Sequence, residues 1–279
     1  MPHADSGVAA WCEIEGRRFQ IEVARPHDLA IALDFDGRQP RWFEAPAARS
    51  TALASGSFSG RVELGASCNC SSLSLTPHCD GTHTESAGHL TREPLAVRTV
   101  VPPGFVPALL LTVTPLRAAD TAESSRPPPR PADRLITGGA IRQAWPAAPA
   151  FAPRALVLRT LPNAPSKRDR DYREHPAPYL SLEAARLMVD QGIEHLLLDV
   201  PSADRADDGG ELSAHREFFG LPGRSSSLAA VQRPQCTITE LVYVDERIAD
   251  GSYLLSLQIP ALGGEAVPSR PLLYPLRPA

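Results

Sequence analysis

The chain has 279 residues, with 28 Lys and Arg against 32 Asp and Glu, so its formal net charge is −4. This mildly acidic balance argues against a nucleic-acid-binding protein, because phosphate contacts need clustered Lys and Arg. The 29 prolines exclude a coiled coil or a long-helix protein, since each internal proline removes a backbone donor and breaks a helix. Hydrophobic residues make up 43% and charged residues 22%, which is typical of a globular protein.

The sequence also allows predictions about the cellular compartment and the partners of the protein. Residues 1–10 have neither a basic start nor an apolar centre, and no apolar run approaches the roughly 18 residues of a membrane span. Five cysteines cannot all pair within one chain, and without a secretion signal we expect them to be reduced. We therefore expect a cytoplasmic protein with a small-molecule substrate, and with neither nucleic acid nor a membrane as partner.

The first part of the chain predicts short strands. Residues 12–23 alternate apolar and polar side chains on both sides of Gly16, a pattern typical of a β-hairpin. Further strands are expected at 29–35, 60–64 and 71–75. Residues 108–114 form a dense apolar run, ALLLTVT, as expected for a strand that is covered on both faces.

Two segments predict exposed loops. Residues 118–133 hold four prolines and few apolar side chains, which indicates a polyproline-type surface loop inside one domain. The densest basic stretch, KRDR at 167–170, is interrupted by Asp169 and followed by Asp171. This mixture of charges predicts a solvated loop and no nucleic-acid site.

The second part of the chain predicts helices that alternate with strands. Helices are expected at 136–145, entered through Thr137, and at 181–191, with Ser181 as N-cap. The second helix lies between buried strands at 155–160 and 193–199, so these segments form a βαβ unit with a parallel strand pair. More strands are expected at 237–244, 253–259 and 272–274. The fold class is therefore mixed α+β, a strand-rich single domain over residues 1–279 with helices packed on a mixed sheet.

Chemistry-bearing side chains concentrate at residues 77–89, PHCDGTHTESAGH. Imidazole and carboxylate are ligands that zinc, manganese and related divalent ions select. His83 and Glu85 are two residues apart, so in an extended segment both side chains project from the same face. Gly81 permits a tight backbone path, and His89 is near enough to reach the same cavity. Four other histidines lie outside any comparable cluster of imidazoles and carboxylates, and we assign them no role: His3, His27, His175 and His195.

Two other interpretations of this segment stay open. It could be a polar surface loop, or Cys68, Cys70, Cys79 and His83 could form a closed structural zinc site in a non-catalytic binding or assembly protein. Cys-x-Cys is a poorer zinc motif than Cys-x-x-Cys, which weakens the second interpretation. The chain has no Gly-x-Ser-x-Gly elbow, no phosphate loop and no Gly-x-Gly-x-x-Gly motif.

The segment Gly81-Thr-His-x-Glu-x-x-x-His89 resembles the His-x-Gly-Thr-His-x-Asp-x-Pro-x-His motif of the metal-dependent cyclase family, which includes bacterial kynurenine formamidases (arylformamidases) and isatin hydrolases. Further segments occur in the family's order, at 159–163, 199–202, 238–241 and 251–253. The resemblance extends from about Leu29 to the C-terminal strands. It implies a swivelling β/β/α-type domain.

The resemblance also implies a set of site residues. His83, Glu85, His215 and Glu240 would bind one or two divalent ions, Zn or Mn, and His89 would transfer protons. Glu240 is also expected to be catalytic. Its segment is otherwise apolar, and burying a carboxylate there costs free energy unless a metal or another cation pairs with it. Three positions depart from the motif.

Glu85 replaces the family's Asp, Ala87 replaces its Pro, and Cys79 stands four residues before His83, where the family has a ligand His. One inserted residue would make His78 the ligand, and we favour His78 over Cys79 because a bulge near Gly81 can absorb the extra residue.

The function that the resemblance implies is hydrolysis of a C–N bond other than a peptide bond. A metal-activated water would attack a small amide, a cyclic amide or an ester, with an aryl formamide as the expected substrate class. The resemblance further implies a homodimer or homotetramer. A metal-dependent cyclase or dehydratase and a non-catalytic zinc-stabilised protein are the alternatives.

Overall fold

A computed structural model describes residues 8–279 of the chain, so the first seven residues, including His3 and most of the 1–10 segment, lie outside the described part. The strands are Ala10–Ile14 (β1), Arg17–Ile21 (β2), His27–Asp28 (β3), Arg49–Ala52 (β4), Ser71–Ser74 (β5), His83–Ser86 (β6), Phe105–Val113 (β7), Leu116–Arg117 (β8), Arg134–Ile136 (β9), Ala155–Thr160 (β10), Tyr179–Leu180 (β11), His195–Leu198 (β12), Thr237–Glu240 (β13), Gly251–Gln258 (β14), Ala266–Pro268 (β15) and Arg270–Pro278 (β16). The α-helices are Pro77–Asp80 (α1), Gly138–Ala144 (α2), Leu182–Asp190 (α3) and Ser213–Phe219 (α4). Short 3-10 helices span Val62–Leu64, Ala87–Leu90, Val97–Thr99, Ala118–Asp120, Pro165–Asp169 and Leu228–Ala230.

One large mixed sheet organises the molecule. Within residues 8–279 it has eleven strands in the order β1-β2-β16-β14-β7-β10-β12-β13-β6-β15, with β3 also paired to β16. Strands β7, β10, β12 and β13 run parallel, whereas β14 and β6 lie antiparallel on either side of them. The predicted βαβ unit is confirmed, because β10 and β12 pair in parallel with Ala155 opposite His195. The mixed α+β fold class is confirmed as well.

The helices begin where the sequence predicts. The Ser181 side chain accepts a hydrogen bond from the Ala184 N–H at the start of α3, and the Thr137 side chain does the same for Ala140 at the start of α2. These bonds satisfy backbone donors that have no partner inside the first helical turn. Gly192, at a φ of 72°, follows α3 in the left-handed region that glycine adopts without strain.

The core lies on both faces of the central parallel strands. Along β7, β10 and β12 alternate residues enter different hydrophobic clusters, so Leu156 and Leu158 pack with the helices while Val157 packs on the opposite face. Every residue of β10 is buried. This double coverage explains why these strands read as continuous apolar runs instead of alternating patterns.

Several predicted strands need correction. Residues 12–23 do form the hairpin of β1 and β2, and 71–75 contains β5, but 60–64 is a 3-10 helix and coil, not a strand. The predicted strand at 29–35 is also wrong, since β3 covers only His27–Asp28 and a single bridge joins Ala30 to Val242. Leu29 and Ile31 are buried because the segment passes between β16 and the residues that follow β13. Burial in a loop thus produced a strand-like pattern.

The two predicted loops behave differently. Residues 118–133 lie outside the large sheet, and Glu123 in this loop accepts hydrogen bonds from Gly138 N, Gly139 N and Ser181 Oγ, which fixes it against the starts of α2 and α3. The prediction of a solvated loop at 167–170 is wrong for Lys167, which is 4% exposed and lies 2.7 Å from Asp199 Oδ2. The buried carboxylate at the end of β12 compensates its charge, a partner that spacing along the chain does not reveal.

In the described part of the chain, each helix falls short of the length and apolarity that crossing a membrane requires.

Candidate metal centre

A cluster of imidazoles and carboxylates lies at the edge of the sheet where the parallel strands end. Glu240 is the last residue of β13, and the antiparallel register places it opposite His83, the first residue of β6. His215 comes from α4, while His78 lies in α1 just before β6. Carboxyl ends of parallel strands are a common place for functional side chains in such sheets.

The Gly81-Thr82 pair shapes the backbone that enters β6. A Cβ at position 81 would lie 2.9 Å from the Leu33 side chain, so only glycine fits without displacing that residue. Thr82 Oγ1 accepts a hydrogen bond from Ile31 N at 2.8 Å and donates one to Leu241 O. These contacts tie the 29–31 segment, β6 and the end of β13 together. Gly81 and Thr82 therefore help to fix the position of His83 relative to Glu240.

The inner side chains are within a few ångströms of each other. His215 Nε2 lies 2.8 Å from Glu85 Oε1 and 3.5 Å from Glu240 Oε1. His83 Nε2 lies 3.4 Å from Glu240 Oε2, and His78 Nδ1 lies 3.1 Å from Glu85 Oε2. All five side chains that the sequence analysis named as ligands are thus brought into one cluster.

The outer nitrogens of two imidazoles are held by acceptors. His83 Nδ1 lies 3.0 Å from Gly81 O, and His215 Nδ1 lies 2.7 Å from Asp204 Oδ2. Each acceptor keeps a proton on Nδ1, so Nε2 is the nitrogen that faces the cluster and that binds a metal when the ring is neutral. Glu240 is fixed as well, because its Oε1 accepts a hydrogen bond from Ala203 N at 2.7 Å.

The cluster contains buried polar atoms that face one another without forming hydrogen bonds. Within residues 8–279, His83 Nε2, His215 Nε2 and both carboxylate oxygens of Glu85 are buried without a hydrogen bond. Such atoms are costly to bury unless something pairs with them. Two imidazole nitrogens and a carboxylate are a donor set that zinc, manganese and similar ions bind, so the residues present fit a divalent metal.

Charge in the cluster is balanced between carboxylates and imidazoles. Burial raises the pKa of Glu85, but the charges of His215 and His89 and the contacts with His215 and His78 together outweigh burial and hold that pKa well below its ordinary value. Burial lowers the pKa of His215, yet Glu85 and the hydrogen bond to Asp204 raise it well above the usual value. His78 follows the same rule: contacts with Glu265 and Glu85 overcome burial and raise its pKa to about 10. Protons on imidazoles thus compensate the buried carboxylates, as a bound cation also would.

His89 lies at the rim of the cluster. Its Nδ1 is 4.0 Å from Glu85 Oε2, its ring centroid is 4.2 Å from that of His78, and its side chain is 26% exposed. Burial is the main cause that lowers the pKa of His89. A neutral, partly exposed imidazole in this position can exchange protons both with the cluster and with solvent.

The structure separates His78 from Cys79. His78 faces Glu85, whereas Cys79 packs in a hydrophobic cluster with Ile31, Trp42 and Leu241. Burial raises the pKa of the Cys79 thiol to about 11, which disfavours the thiolate that a metal would need.

The cysteine site considered as an alternative is not assembled. Cys68 is exposed beside β5, Cys70 is half-buried, and Cys79 is buried in its hydrophobic cluster. Among residues 8–279 the candidate metal-binding groups are His78–His83–Glu85, His78–His89–Glu265 and Glu85–His89–His215, and these contain no cysteine.

Two carboxylates of this region were not predicted from the sequence. Asp204 lies 11 residues before His215 and contacts its ring, while Glu265 lies 3.1 Å from His78 across 187 residues of chain. Five acidic residues lie between the end of β12 and the start of α4, at 199, 204, 207, 208 and 211, so the local pattern does not single out Asp204. Glu265 follows Gly263-Gly264 in an ordinary loop sequence, and nothing in its local pattern marks it.

Fold and cluster together define a mixed α+β protein with a candidate metal centre at the sheet edge. The family model for Cyclase matches residues 27–205, which is more than half of the chain, and the chain belongs to this family. The match covers His78, His83, Glu85 and His89 but stops before His215 and Glu240. Among curated proteins no sequence matches the chain.

Solved structures share the fold. A structure described as a potential metal-dependent hydrolase with cyclase activity has a TM-score of 0.60 and 17% identity, over 91% of this chain and 99% of that one. An isatin hydrolase bound to the product analogue thioisatinate has a TM-score of 0.57 and 15% identity, over 91% and 93% of the two chains. Isatin hydrolase A from Ralstonia solanacearum has a TM-score of 0.57 and 15% identity, over 90% and 91%.

Proposed function

We propose that this protein is a metal-dependent hydrolase that cleaves a C–N bond in a small amide or cyclic amide, with aryl formamides as the expected substrates. The observation that carries the proposal is the buried Glu85 carboxylate, which forms no hydrogen bond and is shared by two candidate metal-binding groups, one with His78 and His83 and one with His89 and His215. Membership of the Cyclase family supports it. Isatin is a cyclic amide fused to an aromatic ring, so the isatin hydrolases of the same fold support the substrate class.

The chain's own residues would hold the metal and manage the protons. His78, His83, Glu85, His215 and Glu240 are the proposed ligands, and a bound divalent ion would supply Lewis acidity to a carbonyl and lower the pKa of water. Gly81 O and Asp204 keep the proton on Nδ1 of His83 and His215, so that Nε2 faces inward. His89 at the rim would accept a proton from the attacking water and return it to the leaving amine.

Loss of one inner carboxylate tests the ligand assignment. Glu240 is 3% exposed at the end of β13, and Gln has nearly the same shape but no charge. We expect Glu240→Gln to lower both metal content and hydrolysis. Three further properties stay predictions: that the ion is Zn or Mn, that one or two ions bind, and that the protein forms a homodimer or homotetramer.

The decisive activity experiment compares metal-loaded and chelator-stripped protein. Hydrolysis of an N-formyl arylamine and of isatin is followed with zinc, with manganese and without metal. We expect turnover of at least one substrate, its loss on chelation and its return on adding metal. Equal rates in stripped and loaded protein, or no hydrolysis of either substrate by loaded protein, would reject the proposed function.

A further inference from the structure

Glu265 lies next to the candidate metal centre and is held there by the sheet. It immediately precedes β15, whose Ala266 pairs with Glu85 in β6. Its carbonyl accepts a hydrogen bond from Ser86 N at 3.0 Å, so the backbone on either side of the Glu265 side chain is fixed against β6. A strand pairing thus delivers a carboxylate that is distant in sequence.

The neighbouring loop leaves room for this carboxylate. A Cβ at Gly88 would lie 2.9 Å from Glu265 Cβ and 2.8 Å from Leu95 O. Any side chain at position 88 would therefore push the loop that carries His89 away from Glu265. The absence of a side chain at Gly88 allows the two segments to pack closely.

The Glu265 carboxylate contacts the outer faces of two histidines. Its Oε1 lies 3.1 Å from His78 Nε2, and its Oε2 lies 3.9 Å from His89 Nδ1. The first distance is a hydrogen bond, whereas the second is too long for one. His78 therefore carries Glu265 on Nε2 while its Nδ1 lies 3.1 Å from Glu85 Oε2 on the inner side.

The arrangement repeats that of His215. There, Asp204 contacts Nδ1, and Nε2 lies 2.8 Å from Glu85. In both rings a carboxylate outside the cluster holds one nitrogen and the other nitrogen faces Glu85. An outer carboxylate of this kind fixes which nitrogen carries the proton, sets the ring orientation and makes the inner nitrogen a better donor.

We infer that Glu265 is a positioning residue for His78: it holds the proton on Nε2 and presents Nδ1 to the proposed metal. This inference rests on the proposed function, because it concerns the same centre. The support of His78 differs from that of His83, because the Nδ1 of His83 is held by the uncharged carbonyl of Gly81. The inner nitrogen is consequently Nδ1 in His78 but Nε2 in His83 and His215.

The test measures metal affinity of the metal-free protein by calorimetric titration with zinc. Three variants are compared with the wild type: Glu265→Ala, Glu265→Gln and, as a control, Glu13→Ala. Glu13 is exposed on β1, at the opposite edge of the large sheet from β15. Losing an outer partner of a ligand histidine weakens metal affinity by about 10- to 100-fold, and we expect this range for Glu265→Ala.

The Gln variant distinguishes positioning from direct ligation. Gln keeps an oxygen that accepts the Nε2 hydrogen bond, so we expect it to restore most of the affinity lost in Glu265→Ala. Equal losses in both variants would make Glu265 a ligand and overturn the inference. Wild-type affinity in Glu265→Ala would overturn it too, while leaving the proposed function intact. If the wild type binds neither zinc nor manganese, the proposed function itself fails.

A spectroscopic signature completes the test. With cobalt in place of zinc, the visible absorption reports the coordination at the metal. We expect the band of Glu265→Gln to match the wild type and that of Glu265→Ala to shift at saturating cobalt, because His78 is no longer oriented. A band that is identical in all variants would contradict a positioning role for Glu265.

Discussion

His215 lies between two carboxylates, with Nδ1 2.7 Å from Asp204 Oδ2 and Nε2 2.8 Å from Glu85 Oε1. Asp204 also accepts hydrogen bonds from the backbone N–H groups of Ala214 and His215. One carboxylate therefore anchors the start of α4 and sets the orientation of the imidazole on that helix. The candidate centre depends on this anchor as much as on the residues that face inward.

The first prediction concerns this anchor. We expect Asp204→Asn, which keeps an acceptor but loses the charge, to weaken zinc affinity less than Asp204→Ala, and we expect about a 10- to 100-fold loss in the latter. Asp207→Ala is the control, because Asp207 lies in the same loop and is exposed. Titration of the metal-free proteins measures the effect. Unchanged affinity in Asp204→Ala would show that Asp204 does not orient His215 toward the metal.

The second prediction separates proton transfer from metal binding. His89 lies at the rim, 4.0 Å from Glu85, and is not among the five proposed ligands. We expect His89→Ala to retain its metal and to lose about 10²- to 10⁴-fold in turnover, the range typical of a positioned acid–base group. Elemental analysis and steady-state kinetics on the same sample check both parts. Loss of the metal instead would make His89 a ligand.

The third prediction compares the two possible metal sites. We expect the double variant Cys68→Ser plus Cys70→Ser to bind zinc as the wild type does, because neither cysteine reaches the cluster of His and Glu. Glu240→Gln should lose zinc, since it removes a buried charge beside His83 and His215. The reverse pattern in a zinc-binding assay would support a structural cysteine site and reject the proposed one.

The fourth prediction concerns stability and pH. His195 is 1% exposed in β12, and burial lowers its pKa to about 4. The unfolded chain takes up this proton below a pH of about 6.5, whereas the folded protein resists it, so this residue makes stability fall as the pH drops from 7 toward 4.

The size of this effect follows from the shift. Between pH 7 and pH 5 we expect His195 to cost about 2 kcal/mol of unfolding free energy. Urea unfolding of metal-free wild type and His195→Gln at both pH values measures it. The comparison is needed because the raised pKa values of His78 and His215 act in the opposite direction. Equal pH dependence in the two proteins would show that His195 is not responsible.

Much of the fold was predictable from local patterns. The strand at 155–160 and the helix after Ser181 match the structure closely, because a buried parallel strand and a capped amphipathic helix leave distinct signals. The segment at 29–35 failed for a physical reason. Its apolar side chains are buried between β16 and the residues that follow β13, and burial alone does not require a strand ladder.

The inner side chains of the site were predictable, but their supports were not. His83 and Glu85 share one strand face, and the resemblance to the cyclase family located His215 and Glu240 in sequence. Glu265 was not predictable, because it reaches His78 only through the pairing of β15 with β6. The ion pair of Lys167 with Asp199 was missed for the same reason. Contacts made across the fold carry no local signal.

The most direct test of the central claim is an anomalous-difference map from a crystal of the zinc-loaded protein. We expect one or two peaks among the inner side chains, each at about 2.0–2.2 Å from a Glu85 oxygen and from the inner nitrogen of His78, His83 or His215, with Glu265 outside the coordination sphere. A crystal that contains zinc but shows its peak at Cys68 and Cys70, or shows none beside Glu85, would contradict the assignment of this cluster as the metal centre.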